Sequence, residues 1–152
     1  SSSRFILILY NIHSKIHNIS HANTLIFDNK LKICELFEPH GKLTELTTMN
    51  GYKGAYKYIN DKTKLFIEDN FSSYKYIPPS IYLPSYGLQL NYDAYNGLCV
   101  IWNILYIHYK LMNPDITSKN LSKHINKYMS LNKILRYGKY IKYILKQGKL
   151  LK

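Results

Sequence analysis

The chain has 152 residues, of which 46% are apolar; this is enough for one ordinary hydrophobic core and favours a single domain over residues 1–152. It contains no uncharged apolar run of about 18 residues and no signal-peptide pattern, so we expect an intracellular, cytoplasmic protein without a membrane span. The formal net charge is +12, and residues 117–152 contain ten Lys and Arg but no Asp or Glu.

The first third of the chain is typical of β-structure. Residues 5–12 predict a buried strand, and residues 23–28 and 31–37 predict two more. A tight turn at Asn29–Lys30 would join the last two as an antiparallel hairpin. The Pro-His-Gly sequence at 39–41 ends the pairing, since proline lacks an N–H donor and glycine permits a sharp redirection.

The rest of the chain is predominantly helical, and the apolar periodicity places its elements. They are one or two helices within 51–71, a short strand at 86–90, a helix at 98–112, a helix capped by Asp115 or Thr117, and a basic helix at 131–147. The helix at 98–112 is apolar almost all round, so it must be buried. We predict an α+β fold whose small mixed or antiparallel sheet packs on that helix, with a core at 5–113.

Cysteine and histidine usage argues against a disulfide framework or a metal centre. Cys34 and Cys99 can form at most one disulfide, which a chain of this size does not require. His13, His17 and His21 recur at every fourth position, but their flanks are typical of loop and strand rather than of one helix face. We therefore predict no metal and no cofactor, and we interpret Cys34 as a buried structural thiol.

Cys99 is the candidate nucleophile because it lies in the first turn of the buried helix. Unpaired backbone N–H groups and the helix dipole stabilise a negative charge there, which favours the thiolate. The alternative is a small apolar side chain that only packs in the core.

A histidine and a carboxylate give that thiol possible partners. With a turn at Asn29–Lys30, Glu38 lies across the hairpin from His21. The carboxylate can then fix the histidine tautomer and leave the second ring nitrogen to take the thiol proton. Without a nearby thiol, the two would form only a surface ion pair.

The order of these residues resembles a known family. The motifs are Ser-His-Ala-Asn at 20–23, Phe-Glu-Pro-His-Gly at 37–41, Gln89, and Cys99 at the start of an apolar helix. This order is similar to that of the adenovirus-type and SUMO-type cysteine peptidases, and the motif sequences most resemble those of peptidase-like proteins of large DNA viruses. The resemblance covers residues 5–113 and implies a protein substrate and an infected host cell or virion as the location.

The resemblance also implies an oxyanion-binding role for Gln89. The spacing from Gln89 to Cys99 is longer than the family shows, so Asn91 or Asn96 remain alternatives. Ala22 stands where family members often have Trp, and Val100 stands where they often have Gly. Ala22 leaves the substrate channel less enclosed than cleavage after a narrow diglycine requires, and Val100 changes the shape of the oxyanion pocket.

Three other functions fit the same residues. The first is acetyl transfer, because the same arrangement also serves acetyltransferases that use coenzyme A. The second is a catalytically degenerate peptidase that binds a protein partner without cleaving it. The third alternative is a nucleic-acid-binding protein that uses the basic residues 119–152. The competing explanation for that basic tail is codon bias in an AT-rich genome.

Overall fold

The computed structural model describes residues 3–14, 19–42, 55–92 and 97–150, which form one four-stranded sheet and six helices. In sheet order, which is also chain order, the strands are β1 (Phe5–Ser14), β2 (Ile19–Asp28), β3 (Ile33–Phe37) and β4 (Lys75–Ile77). The first three pair antiparallel, and β3 pairs with β4 in parallel. The predicted α+β class with a mixed sheet is confirmed.

One helix, α1, lies between β3 and β4 in sequence, and the other five follow β4. The helices are α1 (Ala55–Asn70), α2 (Pro79–Tyr82), α3 (Leu88–Tyr92), α4 (Cys99–Met112), α5 (Ser118–Tyr128) and α6 (Leu131–Leu150). Of the two predicted caps of α5, the structure has Thr117, whose side chain accepts a hydrogen bond from the Asn120 backbone N–H. None of these helices, as far as the chain is described, is long and apolar enough to span a membrane.

Each face of the sheet carries an apolar cluster, because side chains alternate between the two faces along each strand. On one face, Ile26 and Phe37 join a core with Trp102 of α4 and with buried residues of α5 and α6. On the other face, Leu36 packs against Ile67 of α1 in a second, smaller cluster. Helix α4 is thus held against β2, but it is buried on one face rather than all round, since Val100, Leu111 and Met112 are 38%, 47% and 70% exposed.

Two predicted strands need correction. β1 is an edge strand rather than a buried one, and Ile6 and Ile8 are 49% and 40% exposed. The strand predicted at 86–90 is helix α3, because the preceding backbone pairs with a turn instead of with the sheet: Gly87 N donates to His40 O at 2.8 Å. The sheet's fourth strand, β4, went unpredicted because three residues show no alternation.

The β2–β3 connection is a four-residue loop rather than the predicted two-residue turn at Asn29–Lys30. The Asp28 carboxylate accepts hydrogen bonds from two backbone N–H groups of this loop, at 2.9 and 3.1 Å, and the loop ends with Lys32 at φ 54°. The register therefore differs by two residues from the predicted one, and Thr24 lies opposite Phe37.

Candidate active site

The His21–Glu38 pair forms in spite of that change of register. The observed pairing, continued by one residue, places Glu38 across from Asn23 rather than across from His21. A shift of two residues keeps every side chain on its original face, and diagonal neighbours remain within reach of long side chains. His21 Nε2 lies 2.6 Å from Glu38 Oε1, and both side chains are buried.

Cys99 is the first residue of α4, where its Sγ lies 3.9 Å from Gly97 O, and His21 is close enough to influence the pKa of the thiol. Burial alone would raise the pKa of the thiol. The hydrogen bond from His21 and those from the backbone N–H groups of Ala22 and Val100 outweigh burial, so the pKa of Cys99 is lowered. The arrangement favours a thiolate at the start of the helix.

The His21 ring responds in the complementary direction. Burial alone would lower its pKa, but the negative charges of Glu38 and of the Cys99 thiolate raise the pKa of His21 to about 10. The raised pKa of His21 and the lowered pKa of Cys99 both favour a thiolate beside an imidazolium, which is the reactive form of a cysteine nucleophile.

Asn103 joins the strand that carries His21 to the helix turn that carries Cys99, and sequence reasoning missed it. Its Nδ2 donates to Ala22 O and to Cys99 O, both at 2.8 Å, while its Oδ1 accepts from Thr24 Oγ1 at 2.6 Å. Asn103 is fully buried. Because all of its hydrogen-bonding groups are engaged across two elements, it fixes α4 against β2 at the level of the site.

Asn23 and His40 complete the surroundings of Glu38. With its amide oriented to donate, Asn23 Nδ2 lies 2.6 Å from Glu38 Oε2. The backbone N–H of His40 donates to Glu38 Oε1 at 2.9 Å, and the His40 ring stacks on His21 with centroids 4.3 Å apart. Burial is the main cause that lowers the pKa of His40 to about 4, so this ring is neutral near pH 7.

His21, Glu38 and His40 are also close enough together to be possible metal ligands. One ligand atom each from His21, Glu38 and His40 lies within 4.8 Å of the others. The two imidazole rings are nearly parallel, at 10°, and ring-nitrogen lone pairs lie in the ring planes, so the two rings direct them along separate planes. His21 Nε2 is also already bound to the carboxylate. This geometry suits hydrogen bonding better than coordination of one ion.

Gln89 is held close to this turn by backbone contacts. Its N–H donates to Pro39 O at 2.9 Å, and its side chain is buried with Oε1 lacking a partner in the part of the chain that is described. The close approach of the Pro39–Gly41 turn to the segment before Gln89 depends on two glycines, because a Cβ on Gly41 would lie 2.5 Å from Gly87 N. Sequence reasoning treated Gly41 only as a turn residue and missed Gly87.

The alternatives to Gln89 are less suitable. Asn91 Nδ2 donates to Asn126 Oδ1 at 3.0 Å on an exposed part of the surface, so this amide is already engaged. Asn96 lies outside the described residues. Of the three amides, Gln89 is the one that is both described and buried beside the Glu38 turn.

Comparison with known proteins yields one similarity. The chain is 26% identical, over 167 residues, to a protein of Acanthamoeba polyphaga mimivirus that is named as an ankyrin repeat protein; the match covers 92% of this chain and 21% of that protein. No family model and no solved structure matches. The chain thus spans about a fifth of that relative's length. Ankyrin repeats are helix pairs of about 33 residues, whereas the described part of this chain is built on a four-stranded sheet.

Proposed function

We propose that the chain is a cysteine peptidase that hydrolyses peptide or isopeptide bonds in the cytoplasm of a virus-infected cell. The observation that carries the proposal is the buried 2.6 Å contact between His21 Nε2 and Glu38 Oε1, beside a Cys99 thiol whose pKa is lowered by interaction with His21. A thiol, an imidazole and a carboxylate in contact in this order form the constellation of cysteine hydrolases.

The reaction is acyl transfer to water. The Cys99 thiolate attacks the carbonyl carbon, and His21 gives its proton to the leaving amine as the C–N bond breaks, which leaves a thioester on Cys99. His21 then takes a proton from water, the resulting hydroxide attacks the thioester, and the thiolate is released with the new carboxylate. Glu38 keeps the His21 ring in the required tautomer and stabilises its charged form.

The backbone N–H of Cys99 and the Gln89 side chain are the proposed donors to the oxyanion. Both residues are buried, and hydrogen bonds to a developing charge have their largest effect away from water. The residues beside the reactive groups, Ala22 and Val100, are smaller and larger, respectively, than the Trp and Gly of the similar peptidases. The small Ala22 side chain leaves the channel wider, which favours protein processing over cleavage after a narrow diglycine.

A library of internally quenched peptides, together with ubiquitin and SUMO carrying a C-terminal fluorogenic amide, tests this proposal. We expect hydrolysis by the wild type, measured by fluorescence and by mass spectrometry of the products, and complete loss in Cys99→Ala. Gln89→Ala should lower kcat by about 10²-fold or more if the amide binds the oxyanion. If Cys99 is reactive but none of the library, ubiquitin or SUMO substrates is cleaved, the binding module is favoured. A thioester on Cys99 with acetyl coenzyme A would favour acetyl transfer.

Exposed lysines support a second proposal, weak and sequence-independent binding of nucleic acid by residues 119–152. Lys123, Lys127, Lys133 and Lys139 are exposed on α5 and α6, and no acidic residue occurs beyond Asp115. Neutralising several phosphates releases counterions, so the affinity for duplex DNA should fall steeply between about 50 and about 200 mM salt. Fluorescence anisotropy measures this; absence of binding at the lower salt would leave codon bias as the explanation of the tail.

A further inference from the structure

A groove of about 320 Å³ lies between α4 and α6, and its lining includes none of His21, Glu38 or Cys99. Its floor is apolar and comes from Ile101 and Ile104 of α4 and from Gly138, Ile141 and Leu145 of α6. The α6 residues are spaced at three, four and seven positions, so they form one stripe along the helix. Leu145 is 61% exposed, which is unusual for a residue that extends an otherwise half-buried apolar stripe.

One edge of the groove is positively charged. Lys142 and Lys146 lie one helical turn apart on α6 and line the groove beside its apolar floor. Neither forms an ion pair with any other residue that the structure describes. The absence of Asp and Glu from residues 116–152 means that the neighbouring sequence supplies no compensating charge.

We propose that this groove binds an amphipathic helix of a partner protein, with apolar side chains on one face and Asp or Glu along the edge that meets Lys142 and Lys146. The α6 stripe from Gly138 to Leu145 is about 10 Å long, which matches about two turns of a helix. Apolar burial on the floor supplies affinity, and the two charges fix the orientation of the partner.

The chemistry of the groove disfavours other occupants. A second copy of this chain would bring the lysine-rich α6 against another lysine-rich helix, and like charges in an interface oppose association. Nucleic acid would contact the lysines but would leave the floor of Ile101, Ile104 and Ile141 without apolar contacts. An acidic amphipathic helix supplies apolar contacts to the floor and opposite charges to the lysine edge.

Gly138 and Gly148 provide a matched pair of variants on the same helix. A Cβ at Gly138 would lie 3.5 Å from the Ile101 side chain, an ordinary contact, so this position accepts a side chain, and we expect the larger one of Gly138→Leu to fill part of the groove. A Cβ at Gly148 would meet nothing within 4 Å. Both changes raise helix propensity, so a difference between them reports on occupation of the groove rather than on unfolding.

The test uses a fluorescein-labelled designed peptide of about 14 residues, helical, with Leu along one face and Glu elsewhere. We expect saturable binding by the full chain in fluorescence anisotropy, weakened about tenfold or more by Gly138→Leu and unchanged by Gly148→Leu. Equal effects of the two glycine variants, or no binding by wild type, would overturn the proposal. Circular dichroism checks that both variants remain folded.

Charge reversal separates the groove from general basicity. K142E/K146E should lose the acidic peptide and gain a peptide in which Lys replaces every Glu, whereas R136E/K139E, with the same change of net charge outside the groove lining, should retain the acidic peptide. Duplex DNA is the competing ligand. Equal weakening by both charge variants, together with displacement of the peptide by DNA in wild type and in Gly138→Leu alike, would assign the surface to nucleic acid instead.

Discussion

Iodoacetamide should modify Cys99 at about pH 6.5 more than a hundredfold faster than it modifies Cys34. The thiolate is the reactive form, and the hydrogen bond from His21 and two backbone N–H groups lower the pKa of Cys99 despite its burial. Burial first, and then the Glu35 charge, raise the pKa of Cys34 to about 12, so almost none of it is ionised under these conditions. Both thiols are free, and mass spectrometry of the digested protein gives the two rates separately.

Two variants show whether the imidazole causes this reactivity. His21→Ala removes the group that favours the thiolate while burial persists, so the pKa of Cys99 should rise and the rate at pH 6.5 should fall about tenfold for each unit of that rise. Glu38→Gln removes the charge that keeps the pKa of His21 high, so the imidazolium should be lost at a lower pH and the plateau of the pH–rate profile should narrow. Equal labelling of the two cysteines in wild type would exclude Cys99 as a nucleophile.

The sequence was sufficient for the elements with long, regular patterns. The hairpin, the apolar helix α4 and the capped α5 all follow from periodicity and end signals, and they lie within a few residues of the predicted bounds. The register was wrong by two because the Asp28 side chain closes a longer loop, an effect that the sequence pattern does not reveal. An even shift leaves the faces unchanged, so His21 and Glu38 still meet.

Long-range contacts were the part that the sequence did not show. Asn103 reads as a minor polar interruption of an apolar helix, and its role depends on a carbonyl 81 positions earlier, that of Ala22. His40 reads as a turn residue, and its stacking on His21 follows from the bend that Gly41 permits, at φ 97°. Such roles arise only when separate segments meet, whereas periodicity reports on one segment at a time.

A buried charge cluster away from the active site should contribute strongly to the stability of the fold. Lys110 of α4 is 3% exposed, and its Nζ lies 3.0 Å from Ser118 Oγ and 3.6 Å from Glu35 Oε2. Ser118 Oγ donates to the same carboxylate oxygen at 2.6 Å. The cluster therefore ties β3 to α4 and α5 through side chains that have almost no contact with water.

Lys110→Met should lower the free energy of unfolding by about 3–5 kcal/mol, because it leaves the Glu35 carboxylate buried without its counter-charge. Urea denaturation followed by circular dichroism measures the change, and Lys123→Met, an exposed lysine on α5, should stay within about 0.5 kcal/mol of wild type. The double variant E35Q/K110M removes both charges and should recover much of the loss, since no isolated charge remains. A loss of less than about 1 kcal/mol in Lys110→Met, or a double variant less stable than the single one, would contradict a buried ion pair at this position.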